Sequence, residues 1–381
     1  MTTPAIRDSR LSGEDERRVL RRDPHPQLFR PLRIRSVELP NRIALSPMCQ
    51  YSADNGVPNA WHFVHLGARA AGGTGLVFTE AVHSAPRGRI TRHCLGLWNE
   101  EQAIKFAEIA QFIAECNAVP GIQVGHAGRK ASVGRPWEGT TPIGPDAGGW
   151  EVIGPSPLPY AAGWPTPAAM SAAIIDEFIN ETVRTVRLAR DAGFQVLEIH
   201  GGHGYLLHQF YSPLSNQRTD RYGGSFTNRI RLLIQTLQAV RAQWPNDKPL
   251  FLRLSCTDWV DGGWSLEDTV NLARILKREE LVDLVDCTSG GNDPRQQIPI
   301  APGYQIGLAR RVKAETGVLT GAVGLINAPD LAEATIAGGD ADIVLLGRAL
   351  LADPTWALRA AATLKYAGMK WPIQYERSNI Y

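Results

Sequence analysis

Several features that mark well-known protein classes are scarce in this chain of 381 residues. Its five cysteines lie at positions 49, 94, 116, 256 and 287, and no two of them form a C-x-x-C pair. A disulfide framework and a cysteine-ligated metal site are therefore not expected, and a reducing, cytoplasmic compartment fits better. No apolar run approaches the roughly 20 residues that span a bilayer. The formal net charge of +2 gives no reason to expect a nucleic-acid or membrane partner.

The first 26 residues also lack an apolar core, and they mix arginines with acidic residues. We therefore expect neither a secretory signal nor a transit peptide, and interpret residues 1–26 as a solvated, poorly ordered extension. The whole chain is 44% hydrophobic and 20% charged, which is ordinary for a globular protein. Residues 27–381 show no second composition class, so we predict one domain that ends in a C-terminal tail.

Eight short apolar segments, most of them followed by a helical pattern, dominate this domain. They are residues 43–45, 76–79, 119–124, 194–199, 250–255, 282–287, 318–321 and 343–346. Continuous apolar strands are covered on both faces, and this regular alternation favours an α/β fold of the (β/α)8 TIM-barrel type. A hairpin is predicted over residues 32–39. A proline- and glycine-rich insertion follows the third strand, over residues 131–170, and is either a lid or a linker.

Polar rings follow the fourth strand, where the chain breaks into glycines. His200, His203 and Tyr205 lie there, and the C-terminal ends of barrel strands are where barrel enzymes place their chemistry. The two histidines could form a metal pair, but zinc needs a third protein ligand and the helical H-E-x-x-H form is missing. We favour two neutral imidazoles aimed at one oxygen, with Tyr205 as a proton donor.

Glycines also end the last two strands. Gly324 closes the loop after the seventh strand, and Gly347 with Arg348 follows the eighth. Barrels usually hold phosphate in these two loops, where backbone N–H groups and a guanidinium can surround the anion. A phosphate-bearing ligand is therefore expected. Lys130 and Lys248 lie near strand ends, so a Schiff-base aldolase stays open although it is not favoured.

The motifs together resemble one family, the FMN-dependent old yellow enzymes or ene-reductases, and more narrowly its bacterial, thermophilic-like subclass. The matching blocks run from about residue 29 to residue 377. They comprise residues 46–51, 80–81, 123–130, 200–205, 215–225, 253, 347–348 and 374–377.

The resemblance implies an NADPH dehydrogenase that holds FMN non-covalently, with NADH as the alternative reductant. Hydride passes from FMN to Cβ of an activated alkene, such as an α,β-unsaturated carbonyl compound, and Tyr205 protonates Cα. His200 and His203 bind the carbonyl oxygen, and Tyr51 helps to bind the substrate. Arg377 reaches a neighbouring active site, which implies a homodimer or homotetramer. No metal is implied. Another phosphate-binding barrel enzyme, such as an aldolase or isomerase, and a non-catalytic binding barrel remain the alternatives.

The resemblance also implies which residues hold the cofactor. Arg253 faces the N1/O2 region of the flavin, and Ala81 and Gln123 address its pyrimidine edge. Gly202 departs from the family, because alanine is common at that position, and we expect it to loosen the backbone between the histidines. The cofactor-binding set is completed by Ser46, Pro47, Met48 and Cys49 along the ring, and Gly324, Gly347 and Arg348 at the phosphate.

Overall fold

The computed structural model of this protein describes residues 25–378. The predicted extension over residues 1–26 therefore lies almost entirely outside the described residues. The strands are β1 (Leu32–Ile34), β2 (Val37–Leu39), β3 (Ile43–Leu45), β4 (Leu76–His83), β5 (Val119–Gly125), β6 (Ile153–Gly154), β7 (Ala168–Ala169), β8 (Val196–Gly201), β9 (Leu250–Ser255), β10 (Leu284–Thr288), β11 (Leu319–Ala322) and β12 (Ile343–Leu346).

The α-helices surround these strands. They are α1 (Ala60–Ala71), α2 (Glu100–Glu115), α3 (Ala172–Asp191), α4 (Leu206–Tyr211), α5 (Phe226–Arg229), α6 (Arg231–Arg241), α7 (Leu266–Arg278), α8 (Ile306–Thr316), α9 (Pro329–Ala337), α10 (Arg348–Ala352) and α11 (Trp356–Thr363). The capping residues that begin several of them are visible in the sequence. Asn99 before α2, for example, accepts a hydrogen bond from the amide of Gln102, whose side chain accepts one in return.

Eight parallel strands close into a barrel in the order β3, β4, β5, β8, β9, β10, β11, β12 and back to β3. Every strand pairs with the next strand of the barrel in sequence, as a β-α repeat requires. The predicted (β/α)8 barrel is thus confirmed. All eight predicted strands are present, with ends that differ by a few residues.

The barrel interior is apolar at its N-terminal end. Each barrel strand contributes one or two residues to a cluster that contains no helical residue, for example Val196 and Phe251, whereas the strand neighbours of these residues pack on the helices. Since side chains alternate along a strand, this separation identifies the inward face. Three residues of the β1–β2 hairpin, Ile34, Val37 and Leu39, join the same inner cluster. The hairpin therefore closes this end of the barrel.

The insertion after β5 packs onto the barrel mouth. It contains one short parallel pair, β6 with β7. Its carbonyls accept hydrogen bonds from arginines of the barrel: Arg129 donates to the oxygens of Leu158 and Pro159, and Arg218 donates to those of Pro155 and Met170. The segment was expected to be either a lid or a linker. These contacts with the barrel agree with a lid and not with a linker.

Two local details differ from the sequence-based expectations. The helical pattern between the fourth and fifth apolar segments is divided at Ile230 into α5 and α6, and the pattern does not indicate the short helices α4 and α10. Helices of four to six residues carry too few turns for a periodic pattern, so packing decides them. No helix among residues 25–378 is both long enough and apolar enough to cross a membrane.

Candidate active site

A polar layer lies directly above the apolar interior of the barrel. Two residues beyond Val196, Phe251 and Leu284 on their strands come Glu198, Arg253 and Asp286, and the alternation of side chains turns all three inward. Arg253 Nε lies 3.1 Å from Asp286 Oδ2, and its Nη1 donates to Ser46 Oγ at 3.1 Å. Gln123 Nε2 donates to Glu198 Oε1 at 2.8 Å. The layer is fully buried and joins five strands.

The layer contains two carboxylates and one guanidinium. Burial raises the pKa of Glu198 to about 8, and the nearby Asp286 carboxylate adds to the shift while Arg253 opposes it. Burial also raises the pKa of Asp286, although Arg253 limits the rise. Sequence reasoning identified Arg253 and Gln123 and missed Asp286. The predicted strand over residues 282–287 contains two acids, Asp283 and Asp286, and closure of the barrel decides which of them faces inward.

His200, His203 and Tyr205 converge above this layer. The His200 and His203 ring centroids are 5.1 Å apart with ring planes at 89°, and the His200 and Tyr205 centroids are also 5.1 Å apart, at 83°. The turn requires His203 at φ +56° and Gly204 at φ +71°. A Cβ at Gly204 would lie 2.1 Å from the carbonyl oxygen of Gly291, so the loops after β8 and β10 touch backbone to backbone.

Hydrogen bonds from the loop orient both imidazoles. The amide of Gly202 donates to His200 Nδ1 at 3.2 Å, so the proton of a neutral ring sits on Nε2 and is free to bond a ligand. His203 Nε2 lies 2.9 Å from Thr288 Oγ1. When the Thr288 hydroxyl donates this bond, the proton of the neutral ring sits on Nδ1, which can then donate to a ligand. Thr288 follows Asp286 on the inward face of β10, and sequence reasoning missed it as well.

Burial makes these rings neutral at physiological pH. Desolvation lowers the pKa of His200 and of His203 well below the usual value for histidine, and the Arg253 charge lowers both further. Burial raises the pKa of the Tyr205 phenol well above its usual range. The site therefore presents imidazole N–H donors and a protonated phenol, which is what polarising an oxygen and supplying a proton require. Three protein ligands for a metal do not come together anywhere in residues 25–378.

The expectation that Gly202 loosens the backbone between the histidines finds no support in this geometry. Gly202 is not at positive φ, and a Cβ there would lie only 3.0 Å from the Ser255 amide nitrogen and 3.2 Å from its hydroxyl oxygen. Ser255 Oγ accepts a hydrogen bond from the amide of His203 at 2.8 Å. The turn is therefore tightly packed against β9.

Lys130 completes the back of the site. Its Nζ donates to the carbonyl oxygens of His203 at 2.9 Å and Gly291 at 2.8 Å, and lies 5.2 Å from the ring centre of Tyr205. Burial, with a contribution from Arg129, lowers its pKa to about 7. The amine bridges two loops, which leaves little reason to assign it a Schiff base. Lys248 precedes β9 and so lies at the opposite end of the barrel.

Cys49 and Tyr51 form the facing wall. Both pack against a small cluster of buried side chains that includes Cys94 and Val152 of the lid, and Tyr205 packs against the same cluster. Contact with the Cys94 thiol, followed by burial, raises the pKa of Cys49 well above its usual value, so its thiol is protonated at neutral pH. Burial also raises the pKa of Tyr51. Tyr51 is held at φ +51°, an uncommon conformation for a tyrosine.

The predicted phosphate loops lie side by side, because β11 and β12 are neighbours. Gly324 is at φ +124°, and a Cβ there would lie 3.0 Å from Gln305 Nε2. Among the described residues, no hydrogen-bond acceptor pairs with the amides of Gly324 and Gly347. The Arg348 side chain is exposed beside them. Unpaired amides next to a free guanidinium suit an anion.

The remaining predicted cofactor residues border the same mouth. Pro47 and Met48 are partly exposed after β3, and a Cβ at Gly347 would lie 3.3 Å from Met48 Sδ. Ala81 pairs with Gln123 next to a β-bulge. Arg377 is the exception. It lies in an exposed turn of the tail, and no hydrogen bond or ion pair joins it to another residue of 25–378.

Comparison with known proteins decides the family. The family described as NADH:flavin oxidoreductase / NADH oxidase, an FMN family, matches residues 27–366. The chain belongs to this family. It is 42% identical over 352 residues to an NADPH dehydrogenase of Geobacillus thermodenitrificans, which covers 92% of this chain and 98% of the relative. It is 40% identical over 353 residues to an NADPH dehydrogenase of Bacillus subtilis, with the same coverage.

Solved structures agree with this assignment. A 2-naphthoyl-CoA reductase complex is similar at a TM-score of 0.80 and 27% identity, over 88% of this chain and 52% of that one. Morphinone reductase is similar at a TM-score of 0.75 over 89% and 90% of the two chains; its identity of 24% supports the fold alone. The resemblance to old yellow enzymes is confirmed, and with it an oxidoreductase that uses FMN and a nicotinamide reductant.

The residues present fit FMN. Its phosphate has the unpaired amides of Gly324 and Gly347 and the exposed Arg348. Its ring has the polar layer of the barrel, which offers the Gln123 amide and the Arg253 guanidinium. This site differs from a metal centre, since it offers amides and the guanidinium groups of Arg253 and Arg348.

The contact between Gly204 and Gly291 can be tested by substitution. In Gly204→Ala the new methyl group overlaps the Gly291 carbonyl, so we expect the free energy of unfolding to fall by more than about 2 kcal/mol. Gly224→Ala is the matched control. It has a similar φ of +76° and open space around a Cβ, and should lose only about 1 kcal/mol. Urea unfolding measures both. Equal losses would contradict a tight contact between the loops.

Proposed function

We propose that the protein is an NADPH-dependent FMN ene-reductase that reduces the activated C=C bond of α,β-unsaturated carbonyl and related compounds. The observation that carries this is the convergence of two neutral imidazoles and one protonated phenol above the polar layer of the barrel. An enone needs these groups, namely hydrogen-bond donors for its oxygen and a proton for its α-carbon. NADH is the alternative reductant.

Each side chain of the mouth has a defined task in this proposal. His200 Nε2 and His203 Nδ1 donate to the substrate oxygen, which withdraws electrons from the double bond. Tyr205 holds the proton that the α-carbon receives, and its high pKa keeps the phenol protonated until transfer. Tyr51 contacts the substrate from the facing wall. When bound, FMN supplies the hydride for the β-carbon and is reduced again by the nicotinamide.

The cofactor is held by residues from six of the barrel strands or the loops that follow them. Arg253 and Gln123 bind the ring at the polar layer, and Ala81 lies beside Gln123. Gly324, Gly347 and Arg348 surround the phosphate. Ser46, Pro47, Met48 and Cys49 follow β3 and line the ring, with the neutral thiol of Cys49 affecting its potential. The five unpaired cysteines suit a cytoplasmic location.

The colour of the purified protein tests this function directly. We expect a yellow protein whose flavin absorption bleaches when NADPH is added without oxygen, and returns when a cyclic enone follows. The flavin is the only redox group implied, so both changes follow its absorption in a stopped-flow spectrophotometer. If NADPH bleaches the flavin absorption and neither enones nor maleimides restore it, the protein is reduced by NADPH but does not reduce these alkenes. This result would contradict the ene-reductase proposal.

Tyr205→Phe tests the proton donor. The variant keeps the ring but loses the hydroxyl, so we expect reoxidation by an enone to slow by at least about 100-fold, as loss of a general acid does. Reduction by NADPH needs no proton from Tyr205 and should change little, which makes the first half-reaction an internal control. Equal slowing of both half-reactions would show that the phenol only shapes the pocket.

We also propose a homodimer, or a tetramer built from dimers, in which Arg377 enters a neighbouring active site. Large apolar side chains are exposed on helices α1 and α2, namely Trp61, Val64 and Ile104, which are 57%, 65% and 62% exposed. In the tail, Ile373 is 79% exposed and lies four residues before Arg377. Apolar surface next to a charged tail is typical of an interface between subunits.

Mixing two defective variants tests this assembly. Arg377→Ala should raise the KM for the enone about 10-fold, the effect of losing one charge-assisted hydrogen bond, and leave reduction by NADPH unchanged. Co-expressed with Tyr205→Phe, it should regain activity, because a mixed dimer contains one site with both residues intact. Activity no higher than that of either variant, or a monomer in analytical ultracentrifugation, would exclude a shared site.

A further inference from the structure

The polar layer of the barrel carries more acid than its one positive charge balances. Glu198 and Asp286 have fully buried side chains, and Arg253 is 5% exposed. Arg253 Nε pairs with Asp286 at 3.1 Å, whereas Glu198 receives only the neutral amide of Gln123 at 2.8 Å. Glu198 Oε2 has no hydrogen-bond partner among the described residues. The two oxygens of Asp286 have none either, so Asp286 is held by the charge of Arg253 alone. An ionised, singly bonded carboxylate in such a place is strongly disfavoured.

We propose that Glu198 carries a proton in the resting protein while Asp286 does not, so that one carboxylate faces Arg253 and the layer is electrically neutral. Glu198 then acts as a positioning residue, which holds Gln123 in place without adding charge behind the flavin site. The inference goes beyond the proposed function, since it does not depend on which alkene is reduced.

The surroundings of Glu198 support this assignment from every side. On β5 its neighbour is the uncharged Gln123, and on β9 and β10 the charged groups are Arg253 and Asp286. Next on its own strand is His200, whose pKa burial and Arg253 lower, so it adds no positive charge. Two carboxylates that share one cation separate into a charged and a neutral member. The raised pKa of Glu198 agrees with its being the neutral one.

The charge of this layer matters for the cofactor. Gln123 and Arg253 are the residues that meet the flavin ring, and Glu198 and Asp286 lie directly behind them. Two ionised carboxylates would give the layer a net charge of −1 and oppose electrons arriving at the ring. With one ionised carboxylate, the charge of Arg253 is balanced and the layer has no net charge. We therefore expect FMN binding to weaken when Glu198 loses its proton.

Infrared spectroscopy can detect the proton. In wild-type protein near neutral pH, with or without FMN, we expect a carboxylic-acid C=O band that Glu198→Gln removes. The matched control is Glu80→Gln, because Glu80 is another buried carboxyl group, beside His62 at 3.3 Å. This control must leave the Glu198 band in place. A difference spectrum between wild type and Glu198→Gln that contains only carboxylate bands would overturn the proposal.

Asp286→Asn gives a test in which Glu198 itself is unchanged. With the Asp286 charge removed, Glu198 becomes the only carboxylate available to Arg253, so it should ionise and its acid band should disappear at neutral pH. A band that persists would contradict the sharing of one cation. Titration of the wild-type band needs no variant, and should show its loss on raising the pH through about 8.

FMN affinity supplies a separate readout. Near pH 7 the dissociation constant for FMN of Glu198→Gln should lie within about threefold of the wild-type value, since both side chains are neutral. On raising the pH to about 9.5, the wild-type protein should weaken several-fold more than the variant. The same pH dependence in both would overturn the proposal. An inactive ene-reductase that still shows the acid band would contradict only the proposed reaction.

Discussion

The upper half of the barrel depends on the ion pair between Arg253 and Asp286. These residues face each other in register on adjacent strands and are buried. Removing a guanidinium from water costs several kcal/mol, which is offset only when the partner carboxylate and further acceptors are close. Ser46 supplies such an acceptor at 3.1 Å. The pair therefore joins β9, β10 and the end of β3 at the depth of the polar layer, where the proposed function places the flavin ring.

The histidine turn is the second element that geometry restricts strongly. Its backbone is in contact with the loop after β10 at Gly204 and Gly291, and Lys130 donates to carbonyls of both loops. His203 must adopt a positive φ in this turn. An imidazole held by backbone in this way loses little freedom when it binds an oxygen, which is the advantage of a preorganised site. The cost is paid in local strain around two residues.

Much of this could be predicted from the sequence. Continuous apolar strands followed by helices indicate a parallel barrel, and polar residues directly after strands indicate its mouth, as His200 and Tyr205 illustrate. Asp286 and Thr288 were missed, and Lys130 was considered only as a Schiff-base candidate, for a physical reason. Their importance depends on which strands become neighbours and on which face each residue lies, and only closure of the barrel decides this. The expectation for Gly202 failed because its packing against Ser255 involves β9, a strand that is distant in the sequence.

The hairpin at the N-terminal end of the barrel restricts how substrates can reach the proposed site. Ile34, Val37 and Leu39 fill the N-terminal end together with the inner side chains, so the described residues leave the site to be reached from the C-terminal end of the barrel. Under the proposed function a nicotinamide and an alkene both need the same face of one ring, and both must enter from this end, one after the other. Each of the two molecules excludes the other while it is bound. The rim, including the lid and any neighbouring tail, therefore has to admit two molecules of very different size.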